Sequence, residues 1–286
     1  MARVMVAGSA ALDFVYQVDV LPQRAEKYAA RAVDIVGGGC AANAAVGIAR
    51  LGGKSQLLAR FGKDEVSEIV LGDILSENVD TSACVITNGA RSAMSSVYVD
   101  EAGERQIMAF RGAGLAQDPE LSELSADAVL ADTRWPEATR QVIELGRALG
   151  IPAVLDGEAP VPVELAAAAS HVVFSEQGLM DFTGMDDVHA AYAALDLPGW
   201  CAVTLGADGV LHPGGVMPGF KVDVKDTLGA GDIWHGAFAL RLGEGAGEMD
   251  AMRFAHAAAA LKCTGFGGRK AAPSRAEVEQ FLKERA

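Results

Sequence analysis

The sequence predicts one large α/β domain built on a mostly parallel sheet covered on both faces. Three observations carry this reading. Short apolar strands alternate with helical segments along the chain, the rhythm of βαβ units. Glycine is abundant at 33 residues while aromatic residues make up 6%, as in sheets with tight βα turns. Finally, Asp226-Thr227-Leu228-Gly229-Ala230-Gly231-Asp232 has the composition of a tight turn that opens a helix. The totals agree: 286 residues, 50% hydrophobic and 22% charged, suit a single globular unit, or one domain with a small attachment. A formal net charge of −14 opposes nucleic acid and anionic membrane as partners.

In chain order, Val4-Met5-Val6-Ala7-Gly8 reads as a buried first strand, with Asp13 a few residues beyond it. Ligands gather at the carboxyl ends of parallel strands, where an Asp can accept hydrogen bonds from hydroxyls; a surface turn residue is the alternative. From Phe14 to Val36, and again from Ser95 to Phe110 around a turn at Asp100–Gly103, short alternation reads as strands that leave the main sheet. Between them lies Gly37-Gly38-Gly39-Cys40-Ala41-Ala42-Asn43, entering a small-residue helix to Leu51 that stops at Gly52-Gly53. The glycines allow backbone N–H groups to approach a ligand, and Asn43, one turn on, offers a donor and an acceptor. A flexible turn needs the same glycines.

Ala128–Ala131, Ala153–Leu155 and His171–Phe174 read as central strands, with a helix from Ala138 to Leu149 closed by Gly150. Ala166–Ala169 favours helix. Val203-Thr204-Leu205-Gly206-Ala207-Asp208-Gly209 is a strand and a glycine turn, which a plain hairpin also explains. Phe220–Val224 alternates and reads as a strand leading into the Asp226–Asp232 turn. Past that turn, Ile233–Leu242 is an apolar helix whose first N–H groups are unpaired beside the positive end of its dipole, an anion site suited to phosphate. Asp232 sits where those groups converge, either as a helix cap or as a base taking a proton from a hydroxyl. No P-loop and no GxSxG elbow is present, and His235 and His256 read as helix-face residues.

Cys40, Cys84, Cys201 and Cys263 form no CxxC pair, so neither zinc nor a disulfide framework is expected, and reduced thiols point to a cytoplasmic protein. The first seven residues read as a strand rather than a secretion signal. No apolar run reaches the roughly 18–20 residues needed to span a membrane.

DTLGAGD before an apolar helix, together with the upstream GGGCAAN segment running on through Arg60-Phe61-Gly62-Lys63-Asp64, resembles the two signatures of the ribokinase-like (PfkB) carbohydrate kinases. The resemblance covers nearly the whole chain. It implies a ribokinase-like three-layer sandwich over 1–286 with a small β-sheet lid from about 14–36 and 92–112, and transfer of the ATP γ-phosphate to a primary sugar hydroxyl. Asp232 would be the base, with the N–H groups of Gly229, Ala230 and Gly231 stabilising the transferring phosphoryl. Asp13, Gly38, Gly39 and Asn43 would bind the sugar. Thr204, Gly206, Gly209, Asp226, Thr227, Ala257 and Cys263 would line the ATP groove. Mg²⁺ is implied, and Glu176 could hold it through water, although the family's Asn and Glu are Ser175 and Gly178 here and an ordinary helix-start Glu is an equal reading. A monovalent cation near Asp226 occurs in relatives. Lids of this family often pair two copies, which suggests a homodimer.

Within the family the chain resembles sulfofructose kinases through Glu26-Lys27-Tyr28, Leu130–Trp135, Leu155-Asp156-Gly157, Phe174-Ser175-Glu176, Leu261–Thr264 and Gly267-Gly268-Arg269. This implies an anionic ketose whose sulfonate is held by Lys27 and Arg134. The alternative has Lys27 solvated and Arg134 paired with Asp132. A lid Asn expected to assist is Ala109, and Arg111 could replace it or select another anion. Fructose 6-phosphate, tagatose 6-phosphate, 2-keto-3-deoxygluconate and neutral fructose or ribose are the other acceptors, and a non-catalytic sugar or nucleotide sensor is the alternative of another class.

Overall fold

The computed structural model describes residues 1–101, 104–119, 121 and 125–285. Two residues of the expected Asp100–Gly103 turn, Ala102 and Gly103, lie outside them. The first half of the chain runs β1 (Arg3–Gly8), β2 (Ala11–Val18), β3 (Ala30–Gly38), α1 (Cys40–Arg50), β4 (Lys54–Gly62), α2 (Glu65–Ser76), β5 (Val85–Thr87), β6 (Met94–Val99), β7 (Arg105–Phe110), β8 (Ala128–Ala131) and α3 (Pro136–Leu149). The second half runs β9 (Ala153–Gly157), α4 (Val163–Ala168), β10 (His171–Ser175), α5 (Glu176–Thr183), α6 (Val188–Ala193), β11 (Trp200–Thr204), β12 (Val210–His212), β13 (Gly215–Met217), α7 (Ala230–Gly243), α8 (Glu248–Cys263) and α9 (Arg275–Lys283).

Among the described residues, nine strands form the main sheet in the order β13-β12-β11-β10-β9-β8-β1-β4-β5. Pairing is parallel from β5 to β11, and among the described residues the β11–β12 and β12–β13 pairs are antiparallel, so β12 alone runs against the rest. Alternate residues of β1 feed opposite cores, which makes the three layers. Val4 and Val6 pack with α1, α7 and α8, while Met5 and Ala7 pack with α3 and α4. No helix among the described residues is long and apolar enough to cross a membrane.

A second sheet, β3-β2-β6-β7, stands apart from the first. Its β2–β6 pair is parallel and its other two pairs are antiparallel. Directly paired residues share a face. One face therefore carries the row Val36, Asp13, Ser95, Ala109, and the other carries Ile35, Phe14, Ser96, Met108 and Val33, Tyr16, Tyr98. The Tyr16 and Tyr98 rings stack at 5.6 Å, while Val33, Ile35 and Met108 are at least half exposed.

One expected strand is absent. Residues 218–227 have no regular structure, although the alternation of Phe220–Val224 is real in burial: Phe220 and Val222 face the core. Among the described residues the segment has no strand to pair with, and Phe220 meets Phe281 edge-on at 5.2 Å instead. Burial without a ladder partner gives the period of a strand without its hydrogen bonds.

Candidate active site

The site forms where α1 and α7 cross. Both helices are small-residue helices at the crossing, because a Cβ at Gly236 would lie 2.7 Å from the Ala44 carbonyl and one at Gly47 would lie 2.8 Å from Ile233. That close approach brings Asn43, on the first turn of α1, onto Asp232, on the first turn of α7. Asn43 Nδ2 donates to Asp232 Oδ2 at 2.7 Å. The α7 N-terminus is set by Gly229, whose φ of 77° is a left-handed conformation that favours glycine. It carries no side-chain cap, so Asp232 does not serve as one.

One expectation about this mouth needs correcting. The Ala230 N–H donates to the Thr227 carbonyl at 3.1 Å, closing the turn, so it is not free to meet a phosphate. Among the described residues, the N–H groups of Gly229, Gly231 and Asp232 have no such partner. A Cβ at Gly231 would meet nothing within 4 Å, so the space in front of the mouth is open.

Asp232 is enclosed by acids. Its carboxyl, that of Asp156 and the Cys40 thiol lie within 4.8 Å of one another. Burial, followed by the charge of Asp156, pushes the Asp232 carboxyl up to about 7, against the Asn43 hydrogen bond. His235, one turn along α7, is buried with its ring nitrogens facing the Gly231 carbonyl at 2.8 Å and the Val173 carbonyl at 3.2 Å. Burial lowers its pKa despite these bonds, which fits a helix-packing residue. His256 is likewise buried, against the Met252 carbonyl.

Asp13, buried on β2, takes a short hydrogen bond from the Ser95 hydroxyl. Burial raises its pKa, opposed by Ser95 and by the Arg269 charge. The three glycines before α1 each have a packing reason. A Cβ at Gly37 would run into the Arg269 guanidinium and one at Gly38 into the Asp13 carboxylate, while Gly39 turns with φ 90° against the Ser9 and Ala10 backbone. Arg269 is the residue the sequence reading missed as a site member. It is 1% exposed, bonds Asp73, and reaches Asn43 Oδ1 at 3.5 Å. Its signal was present only as the Gly-Gly-Arg string, with nothing to say what it would touch.

Asp226 does not reach this floor but braces it. Its carboxylate accepts N–H bonds from Leu228, Gly267 and Gly268, and the fully buried Lys262 ammonium bonds its carbonyl at 2.8 Å. Burial works against the charge on Asp226, yet these N–H groups and Lys262 together hold its carboxyl below the usual range. Asp226, Thr227 and Leu228 line one wall of a cleft of about 810 Å³ whose other wall is the Asp13-bearing face of the second sheet, through Val15, Asp34 and Val36. Asp13, Asn43 and Asp232 are not among the residues that line it.

The remaining expected residues are scattered. Thr204 ends β11 beside Ser175, and Glu176, exposed, begins α5 at the same carboxyl edge of the sheet. Gly206 is open to solvent, whereas Gly209 is buried with its Cα turned onto the Met217 carbonyl, so its first job is the β11–β12 turn. Ala257 has no accessible surface and can shape a nucleotide slot only from beneath. The Cys263 carbonyl takes the N–H groups of Lys225 and Asp226. Lys27 and Arg111 are exposed, outside the strands. Arg134 does not pair with Asp132 through its side chain: its guanidinium bonds Glu158 at 2.9 Å and the Ala159 carbonyl at 2.7 Å. Asp132 is fully engaged by Ser9, Ala41 N–H and Arg134 N–H, capping α1 from outside the helix. All four cysteines are free thiols.

Residues 1–275 match the family model described as "pfkB family carbohydrate kinase". The ribokinase of Bacillus subtilis (strain 168) is 29% identical over 295 residues, spanning 99% of this chain and 100% of the relative. The ATP-dependent ribose-1-phosphate kinase of Halopiger xanaduensis is 30% identical over 300 residues, spanning 100% and 99%. Among solved structures, the Arabidopsis thaliana ribokinase complexed with ribose and ATP superposes with a TM-score of 0.84 at 25% identity, covering 99% of each chain. The Thermotoga maritima ribokinase gives 0.84 at 28%, covering 99% and 100%.

Proposed function

The chain belongs to the pfkB family of carbohydrate kinases, and from that premise we propose that it transfers the γ-phosphate of ATP to a primary hydroxyl of an anionic ketose such as sulfofructose. The observation that supports the chemistry best is the Asp232 carboxyl, held by Asn43 at 2.7 Å at the open mouth of α7. In this reading the sugar oxygen attacks the γ-phosphorus, the bond to the bridging oxygen of ADP breaks, and the hydroxyl proton passes to Asp232. The N–H groups of Gly229 and Gly231 stabilise charge on the phosphoryl oxygens. Asp13 and Asn43 fix the sugar. Glu176, an exposed oxygen donor on the same sheet edge as Thr204, is the residue to hold Mg²⁺ through water, as that hard cation prefers; bound there the ion would offset phosphate charge. Thr204, Gly206 and Cys263 are the groove side of the ATP site.

The anionic acceptor rests on Lys27 and Arg134. Lys27 has no partner among the described residues. Arg134 is held by Glu158, whose side chain is 49% exposed, and an exposed carboxylate is a partner that an incoming sulfonate or phosphate can displace. Turnover of sulfofructose, fructose 6-phosphate, 2-keto-3-deoxygluconate, fructose and ribose, read as ADP formed, tests both levels. Lys27→Ala with Arg134→Ala is expected to cost at least about tenfold in kcat/KM on the anionic acceptors only, since hydrogen bonds to charged groups are the stronger class. Equal losses on fructose and ribose would end the anionic reading, and ATP binding without ADP from any sugar would make the protein a sensor.

A homodimer through the second sheet belongs to the same proposal. Its outward face offers Val33, Ile35 and Met108 around the Tyr16–Tyr98 stack, and a second copy would cover them. Sedimentation is expected to give twice the chain mass of 29.6 kDa, and Val33→Asp with Met108→Glu is expected to give the single chain. A monomeric wild type would remove the idea.

A further inference from the structure

The site holds a carboxyl that the mechanism above does not use. Asp156 is the fourth residue of β9 and is 7% exposed. Among the described residues no hydrogen bond reaches its carboxyl, and His235 Nε2 lies 3.6 Å away on a ring whose charged form burial disfavours. Buried carboxyls without partners are rare, because desolvation is then uncompensated. One of the Asp156 oxygens lies within 4.8 Å of an Asp232 oxygen. Two acceptors at that spacing leave room for a hydroxyl within normal hydrogen-bond reach of both.

We propose that Asp156 is a sugar-contacting residue, holding a hydroxyl beside the one that Asp232 deprotonates, and thereby setting the charge environment of that base. The inference rests on the kinase reading and deepens it. The groups around Asp156 are Cys40 from α1, Asp132 and Arg134 after β8, Glu158 after β9, and Asp232 and His235 from α7. Only Arg134 is cationic at neutral pH, and Glu158 already holds it. Burial, then the charges of Glu158 and Asp132, push the Asp156 carboxyl well up, so its charge in the empty site is uncompensated and a sugar hydroxyl donating to it would relieve that cost. The same cluster does not suit a metal. Burial and the four carboxylates keep the Cys40 thiol protonated, and a neutral thiol is a poor ligand.

Two variants separate this from a packing role. Asp156→Ala is expected to weaken the sugar, by KM and by calorimetric titration with fructose and ribose and with the best acceptor of the panel, about tenfold, and to leave the KM for ATP unchanged. Asp156→Asn keeps the shape and a hydrogen bond, so sugar affinity should fall less. Its acid limb of kcat against pH should move to lower pH, because the negative neighbour of Asp232 is gone. An Asn variant with wild-type sugar affinity and a wild-type limb would overturn the proposal. So would equal losses for sugar and ATP with a lowered melting temperature in both variants. Calorimetry reads the sugar without turnover, so a wild type that forms no ADP would defeat the kinase reading while this test still returned its own answer.

Discussion

Asp232→Asn is expected to fold, to bind ATP, and to lose about 10²–10⁴-fold in kcat, the contribution of a positioned general base. The site explains why the loss should fall on chemistry alone. Asn43 can still donate to the amide oxygen at position 232, and the Gly229 and Gly231 N–H groups are untouched. The wild-type pH dependence follows from the same carboxyl. It is pushed up to about 7 by burial and by Asp156, so the base form is lost as pH falls through that value, and kcat should fall with it. For stability the sign is opposite. A carboxyl whose folded value lies above its unfolded value of 3.8 stabilises the fold at low pH, and that contribution is lost as pH rises through about 7. Asp232→Asn should therefore melt no lower than wild type at pH 8. Near-full activity in the variant would remove the base, and a large drop in melting temperature would assign Asp232 to structure.

Arg269→Leu is expected to be the most destabilising single change in the site. The guanidinium is 1% exposed and joins the turn before α9 to Asp73 on α2 and Asn43 on α1, beneath Gly37 of β3. Removing one partner of a buried pair costs about 3–5 kcal/mol, because the other charge stays desolvated. The figure belongs at the lower end here, since the Asp73 side chain is 31% exposed and can recover water. Loss of roughly 10 °C in melting temperature should result. Sugar KM should rise as well, because Asn43 and Asp13 both lose a positive neighbour. Double substitution Asp73→Leu with Arg269→Leu should recover part of the stability and none of the sugar affinity. Unchanged melting in the single variant would show that the pair contributes nothing.

The parts of this molecule that the sequence made legible are those whose cause is local. The buried strands of the main sheet read as apolar runs, and α7 read as a helix because its opening turn carries its own glycine. Motifs set Asp13, Asn43 and Asp232 near strand ends and helix starts as candidates, and the structure brings Asn43 and Asp232 into contact. What was hidden depends on partners far along the chain. Arg269 meets Asn43 across 226 positions. Asp156 gains meaning only once α7 is laid beside β9. Arg134 found Glu158 rather than Asp132, because backbone and hydroxyl donors had already used the Asp132 oxygens. Phe220–Val224 failed for the converse reason: its alternation is satisfied by burial, and no neighbouring strand completed it.

The alternation along β2 has a consequence for how this chain can vary in length. Asp13 looks into the site and its neighbours Leu12 and Phe14 look the other way. Deleting or inserting one residue between Ala11 and Val18 would swap the two sides, pressing an acid into the apolar packing now made by Leu12 and Phe14 and turning a phenyl ring toward the site. Length changes are therefore barred from this strand and confined to the exposed run between β2 and β3, where an added residue leaves both sides in place.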